Sequence, residues 1–409
     1  MVCRKRSGFD KEFQSLKYCD TIFERILGYE NEGESILPTP VLLCRIDGNF
    51  GGVERNLLSL AQGLDPNQFP PIVVTLAYPG ELARLARQAG IPTEFIPMRS
   101  RLDIVRAGRR LIEIAERRGA GLVHTFGIRS NTLAAFARKR LAIPWVIRLP
   151  NINTRDYRNP ARGWLSHWFN NQLIRRADAL QVISPQLEAY VRSWPHPPRR
   201  IYCIPNGVDL GGYIRENQAQ GVRERLRISG DAPVIGSMGR LDKIKGYDLL
   251  LHAYQKITQK IPEARLLLVG DGPERLPLAE LAARLSLPHP VIFTGYTEDV
   301  KPYLAVLSLF VCSSRSEGVP HSLLEAMAMG LPIVSTRVGG IESVMEDRRE
   351  GWLIPAEDVD ALSSAVLELL SCPGTAQTCA QAARARVEQE FSLRRMVEQV
   401  QTMYRELIG

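Results

Sequence analysis

The chain has 409 residues, with 52 Lys and Arg against 44 Asp and Glu for a net charge of +8, and is 45% apolar and 23% charged. That length predicts two large domains, and that composition excludes wholesale disorder and collagen-like repeats. No apolar run reaches the ~18 residues that a membrane-spanning helix needs. The first residues lack the continuous apolar core and cleavage site of a signal peptide. Seven scattered cysteines, with no CxxC pair, fit a reducing compartment better than a disulfide framework or a zinc ribbon. A soluble cytoplasmic protein is the expectation.

Before the first strand, Phe9, Phe13, Leu16, Ile22, Phe23, Ile26 and Leu27 recur loosely at helical spacing. They suggest an extension that packs on the body or stays partly disordered, with a membrane-lying helix as the lesser alternative. From residue 40 short apolar strands alternate with amphipathic helices. Strands are predicted at 40–46, 71–78, 93–98, 121–126, 145–150 and 179–184, and helices at 51–64, 81–90, 104–119, 130–141 and 164–177. The stretch 201–217 is rich in turn formers and marks a boundary. The pattern then restarts, with strands at 233–239, 264–270, 291–295, 309–314 and 332–336 and helices at 247–258 and 323–330. Such alternation predicts βαβ units on parallel sheets. The expected division is an extension (1–38), a Rossmann-like domain (39–212), a second Rossmann-like domain (213–388) and a terminal helix (389–409). Two doubly wound α/β domains in series face each other across a cleft at the carboxyl ends of their sheets, where ligands bind in this architecture.

Charge is placed unevenly. Residues 41–210 hold about 24 basic and 12 acidic residues, almost all the bases being Arg, among them Arg99, Arg101, Arg106, Arg109, Arg110, Arg117 and Arg118. A solvated helix face, an anionic membrane surface and an anionic substrate all fit. Nucleic acid fits poorly, because no basic run is interleaved with aromatics.

Two motifs mislead. Residues 269–275 begin like a dinucleotide fingerprint, but Arg275 stands where the third glycine belongs. Asp358 and Asp360 spell a DxD, yet they precede an amphipathic run, so helix capping and dipole compensation explain both. Walker A, HExxH and GxSxG patterns are missing from the sequence, and no metal site is expected.

Three features converge instead. In GGVER (51–55) a glycine pair between strand and helix lets a backbone approach a ligand, with free helix N–H groups behind it. In GRLDKIKG (239–246), after a strand of the second domain, Arg240 and Lys245 suit a pyrophosphate. In the segment 314–340, Glu317 lies in a loop after a strand, and the N–H groups of Val319 and His321 head a helix beyond Gly318. Glu325 lies inside that helix, a place that favours a carboxylate only if it accepts hydrogen bonds or joins an ion pair.

Together GGVER, IPNGVD (204–209), GRLDKIKG, LLLVGDGPE (266–274) and EGVPHSLLEAMAMGLPIVST (317–336) followed by VGG resemble the retaining GT-B glycosyltransferases of family 4, or group 1, over about residues 40–408. The resemblance implies a nucleoside diphosphate (NDP) sugar as donor substrate, no resident cofactor or metal, and transfer with retention to a hydroxyl acceptor. It implies that Arg240 and Lys245 hold the diphosphate, Glu325 the ribose and Glu317 the transferred sugar. Val319, His321 and Gly318 would complete the donor pocket, and Gly52 would let the first domain close on it. Residues 391–408 resemble the helix that crosses back to the first domain in this fold. One departure stands out. The family often has HxH where this chain has His124-Thr125-Phe126, so His124, with Arg129 as an alternative, is the first-domain catalytic candidate. The acceptor is expected to be lipid-linked or a polysaccharide intermediate, met at the inner membrane face. Competing readings are a sugar-nucleotide epimerase and a non-catalytic nucleotide-sugar-binding partner of a transferase complex.

Overall fold

The computed structural model describes residues 38–46, 51–78, 80–98, 103–151, 169–214 and 219–409. The helical spacing read at residues 9–28, together with Arg99, Arg101 and the start of the helix read at 164–177, lies outside the described residues.

Two parallel sheets carry the molecule. The first holds β1 (Val41–Ile46), β2 (Pro71–Leu76), β3 (Thr93–Ile96), β4 (Leu122–Thr125), β5 (Trp145–Leu149), β6 (Ala179–Val182) and β7 (Ile201–Cys203) in the order β3-β2-β1-β4-β5-β6-β7. The second holds β8 (Val234–Met238), β9 (Arg265–Val269), β10 (Ile292–Phe293), β11 (Leu309–Cys312), β12 (Ile333–Thr336) and β13 (Trp352–Ile354) in the order β10-β9-β8-β11-β12-β13. Each order reverses direction once, between β1 and β4 and between β8 and β11. This is the doubly wound pattern that the alternation predicts.

Residue chemistry explains why these runs are strands. Val41 to Cys44 are all fully buried, and their side chains alternate between two hydrophobic clusters, Leu42 and Cys44 in one and Val41 and Leu43 in the other. A strand covered on both faces reads as a continuous apolar run. β11 repeats the arrangement, with Phe310 and Cys312 on one face and Leu309 and Val311 on the other.

Cap chemistry sets several helix ends. Asp358 accepts from Ala361 N–H at 2.8 Å and caps the helix Val359–Ser371, while Asp360 pairs with Lys256, so the DxD is structural. Arg275 opens the helix Arg275–Arg284 and pairs with Asp271 at 3.3 Å.

The chain crosses between the sheets twice, and the crossings pair. Val208 N–H donates to Phe391 O and Leu393 N–H to Val208 O, each at 2.9 Å. Gly207 permits this, since a Cβ there would lie 2.8 Å from Leu393 Cα. After the second crossing the helix Leu393–Ile408 lays Met396, Val397, Val400, Met403 and Tyr404 into the cluster that holds Leu57, Leu60 and Phe69 of the first domain.

Candidate active site

The site lies where both switch points point, at the carboxyl ends of β1 and β4 on one side and of β8 and β11 on the other. On the second domain, Lys245 ends a short helical turn after β8, and Asp242 shapes that turn by accepting from Ile244 N–H at 3.1 Å. The Lys245 ammonium donates to Glu317 Oε1 at 2.5 Å, and the Ser314 hydroxyl donates to the same oxygen at 2.8 Å. Burial alone would lower the Lys245 pKa, but the Glu317 charge outweighs it and holds the ammonium protonated. Arg240 lies on the loop after β8, its side chain 58% exposed and 3.8 Å from Asp242.

Glu325 is 5% exposed on the helix His321–Ala328. Its partner comes from the other domain: Arg55 Nη1 donates to Glu325 Oε1 at 2.6 Å. Burial raises the Glu325 pKa, and Arg55 and Tyr213 beside it oppose that rise. A cavity of about 310 Å³ opens here, lined among others by Arg55, Tyr213, Tyr296, Lys301, His321 and Glu325. His321 leaves its ring Nε2 without a partner among the described residues. Burial, reinforced by Arg148, Arg55 and Lys245, pushes its pKa down to about 3, so the ring is neutral. Gly52 faces it across the cleft, a Cβ there lying 3.6 Å from His321 Cδ2.

Gly318 sits where the second domain's loop meets the first domain. A Cβ on it would lie 2.4 Å from Pro150 O and 2.6 Å from Ile183 Cδ1. The next residue, Val319, is 3% exposed.

The structure therefore brings Lys245, Glu317, Gly318, Val319, His321 and Glu325 together, with Gly52 opposite and Arg240 exposed on the loop that leads to Lys245. It does not bring His124 to them. His124 is fully buried in β4, its Nδ1 2.8 Å from the Tyr404 hydroxyl and its ring 4.5 Å from that of Phe126. Burial, and then Arg148, depress its pKa well below the ordinary value. Of its two ring nitrogens only Nδ1 meets the C-terminal helix; the buried Nε2 has no partner among the described residues, and no contact among them carries the catalytic role read for His124. Arg129 is exposed on the first turn of the helix Ile128–Leu141.

Several site residues escaped the reading of the sequence. Arg45 at the end of β1 bonds Glu54 at 2.7 Å and Phe126 O at 2.5 Å, tying the two strand ends of the first switch point. Arg148, 2% exposed at the end of β5, donates to Asn206 and lies 5.8 Å from the Phe126 ring centroid. A signal for it was present, since an arginine inside the apolar run 145–149 is out of place unless it has a partner.

Comparison with known proteins bears on this geometry. Residues 219–386 match the family model for glycosyl transferases group 1, and residues 51–207 match that for the glycosyl transferase 4-like domain. N-acetyl-alpha-D-glucosaminyl L-malate synthase of Bacillus anthracis is 26% identical over 303 residues, 73% of this chain and 78% of that protein. A GDP-mannose-dependent phosphatidylinositol monomannoside mannosyltransferase of Mycolicibacterium smegmatis is 31% identical over 54% of this chain and 62% of its own length. The crystal structure of HepE from Anabaena with UDP-glucose superimposes with a TM-score of 0.80 at 22% identity, over 90% of this chain and all of that one. The last likeness is one of fold, and the fold is GT-B.

Proposed function

The chain belongs to the group 1 glycosyltransferases of GT-B fold and uses a nucleotide sugar, and from that premise we propose that it moves a hexose-type sugar from an NDP-sugar to a hydroxyl, with retention and without a metal ion. The observation that carries this reading is the pair of carboxylates at the carboxyl end of the second sheet. Glu317 is held by Lys245 and Ser314, and Glu325 faces the cavity. In this reading Arg240 and Lys245 neutralise the leaving diphosphate, Glu317 contacts the transferred sugar, and Glu325 exchanges Arg55 for the ribose hydroxyls. The main-chain groups near Val319 and His321, with Gly318, close the pocket, and Gly52 lets the first domain approach. Attack from the leaving-group face gives retention. The catalytic effect is positioning and charge stabilisation, with Lys and Arg supplying the positive charge.

Charge supports a reading of the acceptor. The helices Ile104–Arg118 and Ile128–Leu141 expose Val105 and Phe136, 44% and 47% accessible. Around them Arg106, Arg109, Arg129, Lys139 and Arg140 are exposed, with no carboxylate partner among the described residues. An apolar patch in a basic rim suits an anionic bilayer and a lipid-linked acceptor. Among the described residues, no helix is long and apolar enough to cross a membrane.

The test is calorimetric binding against UDP-, GDP- and ADP-sugars with and without EDTA. One donor is expected to bind, unaffected by EDTA, and Glu325→Ala is expected to lose it. Failure of every donor would refute the reading, and donor binding without transfer to any acceptor would favour a non-catalytic nucleotide-sugar-binding partner.

A further inference from the structure

One buried side chain joins four parts of the molecule. Asn206, 5% exposed, lies on the first crossing between the sheets. Its Oδ1 accepts from the Arg148 guanidinium at the end of β5 and from Asn56 Nδ2, 3.3 Å away on the helix Gly52–Gly63. Its Nδ2 donates to the main-chain oxygen of Val319 at 2.5 Å. That oxygen belongs to the second domain, midway between Glu317 and His321.

Arg148 makes the arrangement unusual. A buried guanidinium is costly unless a carboxylate answers it, and among the described residues none does; its Nε has no partner either. Among the described residues its one hydrogen-bond partner is the Asn206 amide. A cation on the oxygen side of an amide polarises it and strengthens the bond its N–H₂ group gives on the other side. Only an amide serves both neighbours. A carboxylate at 206 would answer Arg148 but would turn an acceptor toward another acceptor, the Val319 carbonyl. Beside that carbonyl, Gly318 packs on Pro150, two residues beyond Arg148. The bond from Asn206 to Val319 therefore forms only when the two domains are together.

We propose that Asn206, backed by the Arg148 charge, is an interdomain latch that positions the Glu317–His321 loop for transfer when the cleft closes. The role rests on reading that loop as the donor loop. Asn206 is a positioning residue; Glu317 and Lys245 contact the donor.

Two measurements on the full chain test it. In the first, UDP release from UDP-glucose and GDP release from GDP-mannose are followed with water as acceptor, beside calorimetric binding of UDP and GDP. Asn206→Asp is expected to lower kcat by about 10²-fold, the cost of a small misplacement. Nucleotide Kd should move by less than about threefold, because the loss is confined to the transfer step. Arg148→Gln should show the same signature, and the double variant should be no worse than the poorer single one. In the second, hydrogen exchange is read across residues 317–323 without ligand, and Asn206→Asp should exchange faster there while the two sheets keep their protection.

Unchanged loop exchange overturns the latch, whatever the enzyme does with sugar nucleotides. Parallel losses of kcat, nucleotide affinity and sheet protection also overturn it, in favour of a general packing role. If the wild-type chain neither binds nor cleaves any sugar nucleotide, yet Asn206→Asp still speeds exchange in the loop alone, the donor reading is overturned and the latch stands.

Discussion

Lys245 and Glu317 lie 72 positions apart in sequence and share a bond in the site. If the ammonium stabilises the leaving diphosphate, Lys245→Ala should lower turnover by about 10²-fold or more, as for other preorganised electrostatic groups. Wild-type turnover in that variant would remove the role. His321 gives a second expectation. Its ring stays neutral in the folded protein down to about pH 3, whereas in the unfolded chain it takes up a proton near 6.5. Protonation then favours unfolding, so its stabilising contribution is complete above about pH 6.5 and declines toward pH 3, by up to about 1.4 kcal/mol per pH unit. His321→Gln carries no proton in either state and should flatten that slope in urea titrations at pH 7 and pH 4.5. A slope equal to that of wild type would contradict the burial argument. Two site pairings that sequence spacing left invisible join partners far apart along the chain. Arg55 pairs 270 positions away and Asn206 bonds Val319 across 113, and no local period encodes such pairs.

Among the elements, the apolar strands of the sheet centres were legible, because burial on both faces leaves a continuous run such as Val41–Cys44. The three-residue edge strands were not. β7 lies within the turn-rich stretch that marks the boundary, and β13 has only Trp352–Ile354 to announce it. The helix Pro373–Glu390 also escaped, since its buried face is mostly alanine with Cys379 and Val387, which gives little apolar contrast. The last helix was read from the family resemblance of residues 391–408, and its Tyr404 is the partner that His124 Nδ1 meets. Tyr404→Phe removes the hydroxyl that meets His124 Nδ1 inside the core. It should cost about 1–3 kcal/mol in denaturant unfolding, the price of an unsatisfied buried group, with sugar-nucleotide turnover retained. Loss of turnover at wild-type stability would return His124 to the chemistry.

For the whole molecule, the excess charge has a definite place. The basic face around Phe136 predicts flotation of the full chain with vesicles containing anionic lipid and not with neutral ones, weakening as salt rises. Phe136→Asp with Arg109→Glu should abolish it, and salt-insensitive binding would exclude the electrostatic part. The twice-crossed connection has another consequence, for synthesis. The core of the first domain is completed by Met396, Val400 and Tyr404, near the chain's end. When residue 210 has been translated, the surface that these side chains cover is still bare, and it stays bare while the rest of the chain is made, about 10–40 s at ordinary elongation rates. The first domain to be translated is thus the last to be finished. Its newborn form, with Leu57, Leu60 and Phe69 uncovered, is the state in which a chaperone would meet this protein.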